Sequence, residues 1–561
     1  MRAQTPIAVP PLPAAPAIPV AARRRSGLDG YEIALLALFG ALSLWVVAID
    51  VWSAIEHGRV WTGTDGFFIV DQMQYLSWIQ SASQHLLISN MFVLRPTPSD
   101  YFQPAIAISG AITALGVAPW LSLLLWKPVA VVATFLGLRA VVYRSLSGKL
   151  ERRAAITLGL LFGSFTVVYG SFGIIGDMMP VWQSWGYPFG LIAVALVAFG
   201  LLGYERARAG GRIAWLPGVM GAVASTLHPW QGELMILVVA GAELVRWREN
   251  LGWVRRSQWQ RLALPALTIV LVAAPLLYYD LLGHLDLSWN LARQASKHTF
   301  SFWSIAIGAA PLALFAALGY RGRPDDFFEL LLRVWAPATI LIYFVSGSSA
   351  SATPLHAVNG ITLPLAVLAV KGVRRSGLRR MPRVRLVAGV AILLGTVPAN
   401  AYALAVAHNY TKPTGGNANF ISHDEKAALS YLAHDPVAGG VMTQFYLGEA
   451  VPGRTGRKTF VGDCLWSEPN CMPRSLSADA LFEGKLSPAA SQRFVRRSGA
   501  RFLLASCNAP DVNLRRKLGA LFASVRHFGC AAVYELQPPT PAAGPLAELP
   551  PNAAVRAPRR Q

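Results

Sequence analysis

The chain has 561 residues, of which 54% are hydrophobic and only 14% charged, against roughly 25% charged in a soluble globular protein. That excludes an ordinary cytosolic enzyme. The formal net charge is +21, but the cations fall in short clusters between apolar runs, so the excess does not indicate a nucleic-acid partner.

An apolar stretch of about 20 residues crosses the roughly 30 Å of bilayer hydrocarbon. Such stretches run from Tyr31–Trp52 to Leu386–Ala405, and spans are predicted to begin near residues 31, 118, 155, 185, 213, 231, 262, 302, 327, 353 and 386. Residues 1–30 are rich in Pro and Ala up to the triplet Arg23–Arg25. They lack the order of a secretory signal and read as a disordered cytoplasmic arm. The multi-span unit covers 31–407 with an unusually long first outer loop, 51–103; Gln103 to Leu146 reads as one span behind a surface helix.

Cytoplasmic loops retain Lys and Arg. The arm and the clusters at Arg139–Arg153, Arg206–Arg212, Arg246–Arg261, Arg321–Arg333 and Lys371–Arg385 hold 27 cations, whereas the intervening connections hold only Arg59, Arg95, Arg293 and Lys297. The N-terminus is therefore expected inside, and an odd number of crossings puts the C-terminus outside. Asp325 and Asp326, beside Arg321 and Arg323, read as solvated charge.

Beyond the spans, short β-prone runs at Gly440–Gln444, Thr459–Gly462, Arg501–Ala505 and Ala531–Leu536 alternate with helical patterns at Asp424–Leu432, Leu486–Arg497 and Asn513–Phe522. This predicts an extracytoplasmic α/β domain over 408–537, followed by a disordered tail, 538–561. All four cysteines lie in that domain, and disulfides persist outside the cytoplasm. Cys464 and Cys471 are close enough in sequence to bridge, and Cys507 and Cys530 flank a helix whose ends return to neighbouring strands; connectivity stays open. Zinc is the competing reading, but neither pair has CxxC spacing and no nearby His completes a ligand set.

Polar side chains gather on the expected outer side: Asp50, Asp65, Asp71, His85, Asp100, Asp177, His228, Asp280, His284, Asp286, His298 and His356. The first loop contains WTGTDGFFIVDQMQYLSWIQ, in which Asp71, Tyr75 and Trp78 share one helical face, with Asp65 upstream. The aromatics suit a stripe at the membrane interface. A carboxylate in apolar surroundings can act as a general base on an acceptor hydroxyl as it attacks a sugar carbon. Each aspartate can equally be a helix N-cap.

With DQMQYLSW in the first loop, and GRTGRKTFVGDCLWSEP and ADALFEGKLSPAASQRFVRRSGARFLLA in the C-terminal domain, the chain resembles the GT-C superfamily of integral-membrane glycosyltransferases. The resemblance implies an α-helical polytopic fold of about 11 transmembrane helices with an extracytoplasmic α/β domain, in a bacterial plasma membrane. It implies a polyprenyl-phosphate sugar as donor substrate and a glycan, lipid or protein acceptor, with membrane lipids as partners. It makes the first-loop aspartate the catalytic base, Asp71 matching best and Asp65 second. The first loop lacks a clean Asp-x-Asp or Asp-Glu pair, so no cofactor is assigned and a divalent cation is left open.

GDMMPVWQSWGYPFG places Asp177 beside Trp182, Trp185 and Tyr187, which fits a sugar contact or an interfacial belt. STLHPWQGE places His228 and Gln231 at an outer turn, where His228 binds phosphate or sugar, or bonds locally in a turn shaped by Pro229. Tyr75 joins the candidate substrate contacts. The donor phosphate needs cations, and the scarce outer ones, Arg95, Arg293 and Lys297, are candidates. Lys127, in LLLWKPVAV, either neutralises a lipid phosphate or snorkels to the interface. GEAVPGRTGRK lacks the spacing of a P-loop, which disfavours a nucleotide sugar. A transporter or flippase for a lipid-linked or anionic solute, and a non-catalytic assembly protein, are the rival classes; there is no clear internal repeat of the kind transporters carry.

Overall fold

The structure is a computed structural model that describes residues 27–163, 176–249, 258–296, 302–348, 353–377, 383–509 and 514–538. The arm to residue 26, the tail from residue 539, Lys297 and His298 lie outside the described residues. Helix α1 (Gly30–Glu56) opens on a capping box in which the Asp29 carboxylate accepts from the Glu32 amide and the Glu32 carboxylate from the Asp29 amide. The first loop follows, with β1 (Val60–Trp61), α2 (Ile69–Ala82), β2 (Ile88–Ser89) and β3 (Ser99–Tyr101).

Helix α3 (Pro104–Ala114) has 11 residues, a rise of about 16 Å, too short to cross. Helices α4 (Pro119–Leu124) and α5 (Trp126–Ser145) together make the next span, so one crossing follows a short helix, as the sequence predicts. Then come α6 (Lys149–Leu161), α7 (Pro180–Gly186), α8 (Pro188–Ala209), α9 (Leu216–Leu227), α10 (Pro229–Glu249), α11 (Gln258–Leu285), α12 (Leu287–Ala295), α13 (Phe302–Gly319), α14 (Phe327–Ser348), α15 (Thr362–Arg375) and α16 (Val384–Tyr410).

Among the described residues, seven helical segments are long and apolar enough to cross a membrane: α1, α4 with α5, α8, α11, α13, α14 and α16. The crossings expected near 155, 213, 231 and 353 fall on α6, α9, α10 and α15, which are shorter or more charged. Helix α6 opens on Lys149, Glu151, Arg152 and Arg153, and α10 carries Glu233, Glu243, Arg246 and Arg248. Helix α15 begins at Thr362 rather than near 353. Residues Pro354–Val358 form a 3₁₀ turn between Thr353 (φ 45°) and Gly360 (φ 78°), left-handed positions through which a right-handed helix does not run.

The cation clusters meet at one end of the helices, and acids meet them there. Arg153 pairs with Asp29 at 3.0 Å, Arg139 with Glu32 at 3.0 Å, and Arg144 with Glu205 at 2.7 Å and Asp326 at 2.8 Å. Glu329 is buried and takes Arg333, Lys371 and Arg375, and Arg375 also holds Asp325 at 2.7 Å. Asp325 and Asp326 keep 51% and 37% of their side chains exposed, as expected of solvated charges, and also pair with cations from other helices. The apolar core between the helices contains the fully buried Trp185, Tyr204 and Trp335. Helices α13 and α15 approach at glycines: a Cβ at Gly319 would lie 2.4 Å from the Leu368 carbonyl oxygen, and one at Gly372 2.4 Å from that of Phe315.

The C-terminal domain runs β4 (Phe420–Ile421), α17 (His423–His434), β5 (Val441–Met442), α18 (Phe445–Thr455), α19 (Cys471–Phe482), α20 (Pro488–Ser498), β6 (Phe502–Ala505), α21 (Leu514–Leu518), β7 (Phe522–Phe528) and β8 (Ala531–Leu536). Its sheet has the order β5-β6-β8-β7, with β5 parallel to β6 and the other pairs antiparallel. Alternation sorts the inner strands onto two faces. Phe502, Leu504, Ala531 and Val533 pack with Leu429 and Leu447 of α17 and α18, while Leu503, Ala505, Ala532 and Tyr534 pack with Leu481 and Val495 of α19 and α20. The predicted helix over 513–522 stops at Leu518, and Phe522 opens β7. The run 459–462 contributes only a bridge from Thr459 to Val441. Disulfides join Cys464 to Cys471 and Cys507 to Cys530, the second closing the end of the β6–β8 ladder beyond Ala505 and Ala532.

This domain is seated on the first loop. Strand β1 pairs with β4, the Thr459 amide donates to the Met91 carbonyl at 2.9 Å, and the Ser467 hydroxyl donates to that of Phe92 at 3.0 Å. The packing of α13 on α15 makes one prediction. Gly372→Val lowers stability in detergent by about 1–3 kcal/mol through overpacking, whereas Gly389→Val, with open space around it, leaves it nearly unchanged; equal melting temperatures in thermal unfolding would contradict the close approach.

Candidate active site

Asp71 lies in the first turn of α2, but neither it nor Asp65 caps the helix, since Phe68 holds the cap position without a side-chain bond. The N-cap reading is therefore set aside. One Asp71 oxygen accepts from the Tyr187 hydroxyl at 3.0 Å. Burial pushes the carboxyl's pKa up, against the pull of the Tyr187 bond and of His356, and Asp177 pushes the same way as burial.

Asp65 is tied elsewhere. It forms a buried ion pair with Lys127 of α5, and the Lys127 ammonium also donates to the carbonyls of Ser184 at 2.7 Å and Trp185 at 2.8 Å. Gln72 braces the same place, donating to the Trp185 carbonyl and accepting from the Asp65 amide, both at 2.9 Å. All three ammonium hydrogens are occupied, so Lys127 neither snorkels nor remains open to a lipid phosphate, and Asp65 is held as a counter-ion. This corrects both readings of Lys127 and the second choice of base.

Asp177 precedes α7, and one of its oxygens accepts from Gln183 at 2.9 Å and meets His356 Nδ1 at 2.6 Å. Burial raises the Asp177 carboxyl, but the charge and hydrogen bond of His356, with the Gln183 bond, bring it below the usual carboxylate range. The partner shifts the opposite way: burial opposes the imidazolium, yet Asp177 and Asp71 raise the His356 pKa above its ordinary value. A polar chain supports the pair, with Asn359 donating to Gln183 at 3.1 Å and Gln231 donating to the Asn359 carbonyl at 3.0 Å. Gln231 is thereby a positioning residue.

His228 and Trp230 stand against His356, with ring centroids 5.4 and 4.8 Å away. Burial, then the charge of His356, pushes the His228 pKa down to about 3, so this imidazole is neutral. Its Nδ1 and the Trp230 indole nitrogen are buried without partners. From the C-terminal domain, Asp463 is pushed up to about 7 by burial and by Asp71, against the bond from the Leu465 amide. Glu449 is raised by burial and then by Asp463.

The structure thus gathers Asp71, Asp177 and His228 around His356 and Tyr187, with Tyr75 within electrostatic reach of Asp71 and Tyr187, and leaves Arg95 and Arg293 apart. Tyr75 packs against Phe189 at 5.3 Å and Trp78 at 5.9 Å. Trp78 packs with Tyr101 and Trp466 at 4.8 and 5.5 Å, so this stripe seals the first loop to the C-terminal domain instead of lying on a membrane interface. Arg95 sits in the same seam, where its carbonyl accepts from Lys458 at 3.0 Å. Arg293 lies on α12 near Gly283 of α11, and Lys297 is outside the described residues. Sequence reasoning missed Asp463 and Glu449 and gave His356 no role; Pro354 and Gly360 around His356 were the available signal that it lies in a turn. Among the described residues, Asp424, Cys507 and Cys530 alone bring three ligand atoms within 4.8 Å of one another, and both sulfurs are consumed by their disulfide.

No protein family model matches the chain, and no curated protein matches it in sequence. Its fold is similar to that of solved structures of the oligosaccharyltransferase AglB from the archaeon Archaeoglobus fulgidus. The apo form and the complex with an inhibitory peptide and a dolichol-phosphate each align at 12% identity with a TM-score of 0.48, over 85% of this chain and 70% of the other. A form tethered to an acceptor peptide containing the NVT sequon aligns at the same identity and TM-score over 87% of this chain and 70% of that one. The likeness lies in the course of the fold alone.

The Lys127–Asp65 pair generates a second prediction. Lys127→Met leaves a buried uncompensated carboxylate and destabilises the protein by about 3–5 kcal/mol, and adding Asp65→Leu recovers much of that loss. Thermal unfolding of both variants checks it; a double mutant no more stable than the single one would contradict the pairing.

Proposed function

We propose that this protein is a membrane glycosyltransferase of the GT-C kind, moving a sugar from a polyprenyl-phosphate-linked donor to an acceptor hydroxyl at the extracytoplasmic face, with Asp71 as base. The observation that carries the reading is the Asp71 carboxylate, raised in basicity by burial and held by Tyr187 beside the Asp177–His356 pair. A general base works best when its pKa approaches the working pH, and burial moves Asp71 in that direction. The acceptor oxygen bonds to the anomeric carbon as the bond to the phosphate oxygen breaks, and the hydroxyl proton passes to Asp71.

Sidedness is supported by the distribution of charge. On α5, Lys127 lies at the end next to Asp65 and Arg144 at the end with the ion-pair network; their 17-residue separation in the helix is about 25 Å. The site and the disulfide-bearing domain thus share the end away from the cation clusters, which suits a cytoplasmic ion-pair end and an extracytoplasmic reaction. Apolar helices beside the site suit the donor's lipid chain, and the domain carrying Asp463 suits a role in presenting the acceptor.

Purified protein incubated with radiolabelled polyprenyl-phosphate sugars and a panel of acceptors tests the reading. Asp71→Asn loses roughly 10²- to 10⁴-fold in transfer, the range of a general base, with membrane insertion retained; undiminished transfer by this variant would remove Asp71 from the chemistry.

A further inference from the structure

We infer that His356 is the cation that receives the donor's phosphate, presenting its Nε2–H to the phosphate oxygen from which the sugar departs. This rests on the transfer reading above. As the anomeric C–O bond breaks, its electron pair stays on the lipid phosphate, and a preorganised donor aimed at that growing charge lowers the barrier. The attacking hydroxyl's proton goes to Asp71, so His356 keeps its own.

The cations read from the sequence do not fill this place. Lys127 is closed by Asp65 and two carbonyls, Arg95 lies in the seam with the C-terminal domain, and Arg293 lies beside α11. His356 stands at the site itself. Its Nδ1 meets Asp177 at 2.6 Å, which orients the ring and leaves Nε2 as the free edge. That nitrogen makes no hydrogen bond among the described residues and is not among the buried unpartnered atoms, and 15% of the side chain stays exposed. The ring lies 5.4 Å from that of Tyr187, whose hydroxyl holds Asp71 at 3.0 Å. Base and cation therefore flank one tyrosine, as an attacking hydroxyl and a departing phosphate on either side of one sugar carbon require.

The titratable groups facing His356 are Asp177 before α7, Tyr187 at the start of α8, Asp71 on α2 and His228 before α10; Glu233 is the next acid along α10, and α14, packed against this turn, carries Glu329 and Arg333 in the ion-pair network at its far end. Asp177 and Asp71 both favour the imidazolium. His228 stays neutral next to it, because burial and then the charge of His356 outweigh the pull of Asp177.

Two measurements on the full chain in detergent test the proposal. The first is binding of polyprenyl phosphate alone, which involves no transfer. Wild type binds it and loses affinity as pH rises through the raised His356 pKa; His356→Gln binds at least 10-fold more weakly with no such pH dependence, and His356→Lys restores part of the affinity. The second is the pH profile of transfer. Wild type gives a bell, with Asp71 on the acid limb and His356 on the alkaline limb; His356→Gln loses on the order of 10²-fold, the scale of one charge-stabilising donor, and loses the alkaline limb. Asp177→Asn moves both limbs to lower pH, because its carboxylate raises both groups. Lipid phosphate binding and an alkaline limb that are unaltered in His356→Gln would overturn the assignment. His356-dependent binding without transfer from any donor would instead overturn the glycosyltransferase reading and leave the phosphate site standing.

Discussion

A lysine ammonium in a membrane helix must find a counter-charge, because a buried unpaired ion is far costlier than a buried pair. Lys127 finds its partner in Asp65, 62 residues earlier, and that pairing draws the first loop down onto α5. Its other two hydrogens fix the carbonyls of Ser184 and Trp185 in α7. One ammonium thus sets the height of α2, which carries Asp71, relative to the segment that carries Asp177 and Tyr187. Gln72, next to Asp71, repeats the linkage by spanning Asp65 and Trp185. The candidate base and its neighbours owe their relative placement to a charge that hydrocarbon does not tolerate alone.

The same logic divides the molecule into two ends. At one end, arginines and lysines pair with acids from neighbouring helices and fasten the bundle, with Glu329 holding three cations at once. At the other end, burial raises Asp71, Asp463 and Glu449. Fully paired charges fasten helices; partly paired ones, kept basic by burial, are what proton transfer requires. The C-terminal domain belongs to this second end through the β1–β4 pairing and the cluster of Trp78, Trp289 and Trp466, and it brings Asp463 within electrostatic reach of Asp71.

Local pattern made much of this legible. Helix positions follow the apolar runs, the α/β character of the C-terminal domain follows alternating short strands, and the cysteine spacing anticipated bridges that hold a loop and a ladder end. Asp71, Asp177 and His228 were identifiable as polar groups among aromatics. What stayed hidden depends on contacts between distant residues: Asp177 and His356 are 179 positions apart, and nothing near Lys127 in sequence announces Asp65. Trp78 was misread because a membrane-interface belt and a domain seam use the same residue types. His356 lies in an apolar run that resembles the start of a span, but the left-handed Thr353 and Gly360 interrupt a helix there.

The central claim is that the Asp71 loop and the disulfide-bearing domain face the compartment opposite the ion-pair end. Single cysteines labelled with a membrane-impermeant thiol reagent on intact cells test it most directly, and the described cysteines, all in disulfides, give no background. Leu86, in the first loop, and Leu150, at the ion-pair end, are 68% and 63% exposed. Leu86→Cys is expected to label on intact cells and Leu150→Cys only after permeabilisation; the reverse pattern would contradict the account.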